Sequence, residues 1–280
     1  LIMLFRNIEK DNRKEVEEYL DCEATIPTIL EYVLAIAWYR ISNRQGNILD
    51  FMKLSLDANL LPKNHAGGGT ADIVYHYNEN ENYKEHELLL EATLTDSTSQ
   101  RKAEMEPVSR HLIRNKQEFD NETSYAIFVA NILNSEVLSD FRSRKNYWYK
   151  GKNDKDKQGL KIIPLSINDV VVILEKNLNY VQLYNMFENA YNDTIINDLR
   201  WYDTLIKEEI ALERRKELVN EGHRWFDLIR TGKAVEVMNA YFTRTPGYTG
   251  ITISELNYVQ PIPQGQIDTD SATKQNEGYN

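Results

Sequence analysis

Residues 65–94 read HAGGGTADIVYHYNENENYKEHELLLEATL, and this stretch decides the fold. Gly67, Gly68 and Gly69 make a turn into Ala71–Tyr77, where apolar and polar residues alternate with the period of a half-buried strand. The polar run over 78–87 suits a hairpin turn, and LLLEATL at 88–94 reads as a second, more buried strand. Asp72 lies at the start of the first strand and Glu91 within the second. If the strands pair across the turn, both carboxylates can point to one edge of the sheet. An acid inside so apolar a run is costly unless paired or metal-bound. The bland alternative is that Asp72 caps a turn and Glu91 is solvated on its strand.

Upstream, EATIPTILEYVLAIAWYRIS at 23–42 has helical spacing at Ile29–Leu30, Val33–Leu34, Ala37–Trp38 and Ile41. Thr28 is expected to cap this helix, with Pro27 blocking its extension. Residues 47–64 read as a short helix and a loop closed by Pro62. Downstream, residues 100–118 have helical spacing, SYAIFVAN at 124–131 is a third strand and KIIPLSI at 161–167 a fourth. Asn168 to about Ile210 is mostly helical. This order predicts a mixed α/β domain with a small central sheet covered by helices.

The chain has 280 residues and a net charge of -10, so no global basic surface advertises nucleic acid. A local basic cleft can still sit in an acidic protein. RSRKNYWYKGK at 142–152 places Arg142, Arg144 and Lys145 beside Tyr147, Trp148 and Tyr149, which reads equally as a DNA-facing loop or a solvated one. The single cysteine, Cys22, excludes an internal disulfide framework and a cysteine-based zinc site, and fits a reducing compartment. LIMLFRNIEK has no secretory pattern. The sequence begins without methionine, so an upstream portion is expected. No run approaches the roughly 20 apolar residues of a membrane span.

Glu104 follows Glu91 by thirteen residues, near the start of a helix able to fold back over the same edge. Three convergent carboxylates would bind Mg²⁺, a hard cation that prefers oxygen ligands. The segment GGGTADIV … LLLEATLTDSTSQRKAEMEPVSRH resembles the catalytic core of AlwI-type restriction endonucleases, a type IIS family with a PD-(D/E)XK nuclease fold. The resemblance covers roughly residues 20–210. It implies Mg²⁺-dependent phosphodiester hydrolysis in double-stranded DNA and a cytoplasmic location. It also implies Asp72 and Glu91 as metal-binding acids, Glu104 as a further catalytic acid and Glu31 as an assisting acid on the preceding helix.

One departure concerns the lysine usual two positions after the strand glutamate, which is Thr93 here. Gln100, Lys102 or a second metal held by Glu104 are the open substitutes. Arg110 and His111, just past EPVS, are candidate phosphate contacts, although His111 reads equally as an ordinary hydrogen-bonding residue. Type IIS enzymes separate recognition from cleavage, and no recognition domain is visible. A recognition subunit or a homodimer is therefore the expected partner.

From Ala211 the character changes. In ALERRKELVNEGHRWFDLIRTGKA, Leu212, Leu218, Val219 and Phe226 form an apolar face, Gly222 interrupts the pattern and Gly232 is an expected C-terminal cap. His223, Arg224 and Asp227 suit an ion-pair network better than an acid–base set, and Trp225–Phe226 suits core packing. This block, the later PIP and ID, and the ending QNEGY resemble the C-terminal end of SusD/RagB proteins, outer-membrane lipoproteins that bind glycans and partner a transporter barrel. The resemblance covers about 70 residues and carries over no glycan-binding residue. The expected division is a nuclease domain over 1–210 and, over 211–280, a fragment too small to fold dependably alone. The alternatives are a truncated SusD-like outer-membrane glycan-binding protein and an inactive chimeric fusion.

Overall fold

The structure is a computed structural model that describes residues 1–67, 69–95, 97–217, 228–229, 232–245, 247–248, 250–258, 262, 264–269 and 274–277. The side chains of 97–104, 213–217 and 264–266 lie outside that description. It opens with two helices, α1 (Ile2–Glu9) and α2 (Arg13–Leu20). α1 buries Leu4, Phe5 and Ile8, one face of a 3.6-residue period.

Helix α3 (Ile26–Ile41) is buried over most of its surface, as its apolar sequence requires. It starts earlier than Thr28 predicts. Thr25 takes the N-cap position and Pro27 lies in the first turn, where its missing N–H costs no helical bond. A single turn, α4 (Ile48–Phe51), is followed by a small antiparallel ladder of β1 (Ser55–Leu56) and β2 (Pro62–Asn64). Pro62 thus begins a strand where the sequence predicts the close of a loop.

The central hairpin forms with shifted ends: the first strand starts at Ile73 rather than Ala71, and the second starts at His86, inside the stretch read as turn. β3 (Ile73–Tyr77) and β4 (His86–Thr93) pair antiparallel with Ile73 opposite Leu90. The chain then crosses through α5 (Ser97–Phe119) to β5 (Tyr125–Ala130), which lies parallel to β4 with Glu91 opposite Phe128. α6 (Ser135–Ser143) and a hairpin of β6 (Trp148–Lys150) and β7 (Asp156–Gln158) precede β8 (Ile162–Ser166), parallel to β5. The mixed sheet has the order β3-β4-β5-β8. β5 is buried along its whole length, as a central strand covered on both faces must be.

Helices α7 (Ile167–Glu175) and α8 (Tyr180–Asn192) follow, both opened by capping boxes at Ser166 and Asn179. α9 (Arg200–Tyr202) leads through a π-helical turn, Asp203–Lys207, into α10 (Glu208–Glu217). α3 and α8 cover one face of the sheet. Trp38 Nε1 donates to the Tyr77 hydroxyl at 3.1 Å, and the Tyr180 ring stacks on Tyr77 with centroids 3.7 Å apart. α5 and α6 cover the other face, where Phe141 meets Phe128 edge-on at 5.4 Å. Among the described residues, no helix is long and apolar enough to cross a membrane.

The chain divides into two compact units, Leu1–Arg214 and Arg215–Asn280. The second contains α11 (Ala234–Arg244) and α12 (Gln264–Thr269). Two amide side chains there stand in for strand neighbours. Asn239 accepts from Ile253 N at 2.8 Å and donates to Ile253 O at 3.0 Å, and Gln275 does the same to Ile262 at 2.8 and 2.9 Å. Gly232 has φ of +67° and its N–H donates to Ile229 O, a helix-ending turn that favours glycine. Leu218, Val219, Gly222, His223, Arg224, Trp225, Phe226 and Asp227 lie outside the described residues.

Candidate active site

The register of the hairpin brings the first two acids together. The ladder ends at the Ile73–Leu90 pair; Asp72 immediately precedes Ile73 and Glu91 immediately follows Leu90, so the two acids flank that end of the hairpin. Asp72 Oδ2 accepts from the Ala92 N–H at 2.8 Å, which ties the aspartate to β4 beside the glutamate. Glu91 is buried, and its Oε1 lies 2.7 Å from His111 Nδ1 on α5. Because an ionised carboxylate only accepts, the His111 Nδ1 carries the proton. Four residues along each element, Asn115 Nδ2 donates to Glu87, so α5 is fastened to β4 at two points.

Glu31 comes from α3, reaching the same edge of the sheet from the opposite layer. Its Oε2 accepts from Ala66 N at 3.1 Å and holds the start of the glycine segment. Burial raises its carboxyl above the usual value, the Ala66 N–H and His65 oppose this, and the charge of Glu91 adds to it. Within that segment Gly69 has φ of +103°, a conformation that needs glycine, and its carbonyl accepts from Arg114 Nη1 at 3.4 Å. A cavity of about 470 Å³ opens between the hairpin and α5, lined in part by Thr70, Val74, Glu87, Leu89, His111 and Arg114.

The site thus gathers Asp72, Glu91, Glu31 and His111. Glu104 lies on α5, and its side chain is outside the described residues, as are those of Gln100 and Lys102. Among the described residues, no three His, Cys, Asp or Glu are already arranged as a metal cluster. The donor chemistry nevertheless fits a hard divalent cation: two carboxylates at one end of the hairpin are each oriented by an N–H donor. Thr93 brings no cation. Its hydroxyl donates to Thr95 Oγ1 at 2.7 Å and accepts from Thr95 N at 3.0 Å.

The expected DNA contacts separate into two groups. Arg110 and Arg144 line one groove along α5, together with Arg114, Gln117 and Tyr147. Arg110 Nε bonds Glu106 at 3.0 Å, and Arg144 Nε bonds Asp140 at 2.9 Å with its guanidinium 4.6 Å from the Tyr147 ring. Arg142 is turned inward. Its guanidinium donates to the carbonyls of Ala190, Asp193 and Ile196 at 2.7–2.9 Å and lies 5.3 Å from the Trp201 ring. Reading it as part of a DNA-facing loop is therefore corrected: Arg142 closes the ends of α8 and the following turn. Lys145 donates to Asp193 O at 2.9 Å, and burial lowers its ammonium pKa. His111 is spent on Glu91. Arg114 escaped the sequence reading, although its place four residues after Arg110 on a helix puts the two on one face.

Residues 1–173 match the AlwI restriction endonuclease family model, and the chain belongs to that family. Residues 188–279 match the SusD family model, so the chain joins segments of two families. A solved structure with the same fold is the small subunit of the heterodimeric restriction endonuclease R.BspD6I. It has a TM-score of 0.51 and 16% identity, over 78% of this chain and 99% of that one. A SusD-like protein of Formosa agariphila is 61% identical over 65 residues, 21% of this chain. The chain spans about 13% of the length of that curated relative.

Proposed function

We propose that the Leu1–Arg214 unit is the cleavage domain of a Mg²⁺-dependent type IIS DNA endonuclease, acting on double-stranded DNA in the cytoplasm. The observation that carries the reading is the bond of Asp72 to the Ala92 N–H, next to Glu91 on β4, with Glu91 in turn held by His111. Asp72 and Glu91 would hold the cation, with Glu104 as the third acid. When bound, Mg²⁺ lowers the pKa of a water and offsets charge on the phosphate. Ala92 fixes Asp72, and Glu31 anchors the glycine segment that a phosphate would approach. Arg110, Arg114 and Arg144 would line the path of the DNA backbone.

Specificity in this reading comes from a recognition subunit or a second copy of the chain. The naming of the R.BspD6I subunit as one half of a heterodimer favours the former. The SusD-like segment is an appendage here. A glycan-binding, outer-membrane reading rests on the SusD family match over residues 188–279 and on a relative of which this chain spans 13%.

Supercoiled plasmid incubated with excess purified chain should become open-circular or linear with Mg²⁺ and stay intact with EDTA. Plasmid left intact in Mg²⁺, both alone and with a cognate recognition subunit, would overturn the reading.

A further inference from the structure

His111 stands in the sequence as a phosphate contact or an ordinary hydrogen-bonding residue, and the structure gives it a hydrogen bond to Glu91. The ring is buried between α5 and β4. Its Nδ1 proton points at Glu91 Oε1 at 2.7 Å, and its Nε2 is buried with no hydrogen-bond partner among the described residues. A ring satisfied at one nitrogen only, on one carboxylate, is held there by that bond and by its packing. The bond joins residues twenty positions apart on different elements, inside the protein where water competes weakly.

We propose that His111 is a positioning residue that sets the rotamer of Glu91 for cation binding, which makes α5 part of the metal site through its side chain. The proposal rests on the Asp72–Glu91 metal reading above. Glu91 projects from a strand with three rotatable bonds, and burial alone does not choose among its rotamers. The His111 N–H chooses one. Outer donors of this kind commonly alter metal affinity by about 10–100-fold when removed. Asn115 provides an internal comparison, because it fastens the same helix to the same strand through Glu87 without touching Glu91.

The probe is Mn²⁺, which shares the oxygen-ligand preference of Mg²⁺ and is followed by loss of its free-ion EPR signal on the intact chain. His111→Leu removes the donor. His111→Asn keeps an N–H at the same bond distance from the backbone as Nδ1. Asn115→Leu loosens α5 elsewhere. Thermal melts of the metal-free proteins confirm that each variant is folded. The expected result is Mn²⁺ affinity at least about tenfold weaker in His111→Leu, restored to within about threefold in His111→Asn and unchanged in Asn115→Leu. Wild-type affinity in His111→Leu would overturn the proposal. So would an equal loss in His111→Asn or Asn115→Leu, since the donor would then not be what matters. Absence of Mn²⁺ binding by the wild-type chain overturns the metal reading itself, and the positioning role with it.

Discussion

His86 is fully buried, with Nδ1 2.6 Å from Lys84 O and Nε2 against the Tyr180 hydroxyl. A carbonyl only accepts, so Nδ1 carries the proton, Nε2 accepts from Tyr180, and Tyr180 in turn accepts from Tyr125 at 3.0 Å. This chain of donors suits neutral imidazole, and burial pushes the His86 pKa down to about 4. The unfolded chain takes up the proton near pH 6.5 while the folded one does not, so stability is lost as pH falls from about 6.5 towards 4. Urea unfolding should give about 2 kcal/mol less stability from this group at pH 5 than at pH 7. His86→Asn, which can keep the Lys84 bond, should flatten that dependence; an unchanged slope would contradict it.

That Asp72 and Glu91 lie at one end of a hairpin was legible because two strand-like runs on either side of a polar stretch predict antiparallel pairing. The His111–Glu91 bond was not, because it depends on how α5 lies across the sheet, and no local spacing encodes that. Arg142 misled for the opposite reason. A cation among other cations looks solvated until the carbonyls it closes, all from residues 190–196, are brought to it.

At the scale of elements, the central strands followed from their apolar runs and α5 from its spacing. α1 carried a readable face in Leu4, Phe5 and Ile8, but a first segment invites reading for export signals rather than packing. β6 and β7 hide in lysine-rich sequence, because their pairing is made by backbone and turn geometry more than by an apolar face. Arg142 links α6 to the end of α8, and this linkage is testable. Arg142→Met should leave three carbonyls without their donor and lower stability by about 3 kcal/mol in chemical unfolding. A loss below about 0.5 kcal/mol would mean that water replaces the guanidinium without cost.

For the whole molecule, the family boundary and the structural boundary differ. The SusD match begins at residue 188, inside α8, whereas the first compact unit runs to Arg214. Ala190, Trp201, Tyr202, Ile206 and Ile210 fall in that interval and are buried in the core of the first unit. Trp201 Nε1 donates to Leu138 O at 3.2 Å, and the Tyr202 hydroxyl bonds Asp169. Sequence character alone sees charged helical residues near 205–215 and cannot tell which side of a join they pack on. A chain ended after Arg214 should melt cooperatively within a few degrees of the intact one. A chain ended after Phe187 exposes the slot filled by two large aromatics and two isoleucines, at several kcal/mol, and should bind hydrophobic dye and unfold. Equal melting of the two would place residues 188–214 outside the nuclease core.

The central claim is that Asp72 and Glu91 together carry phosphodiester cleavage. Asp72→Asn and Glu91→Gln keep an oxygen to accept from Ala92 N and His111 Nδ1, so each should fold while losing the charge. Single-turnover cleavage of plasmid DNA in Mg²⁺, with recognition partner and enzyme in excess, measures the consequence. Each variant should cleave at least about 10³-fold more slowly than wild type with its melting temperature preserved. Cleavage by either variant at the wild-type rate would contradict the assignment.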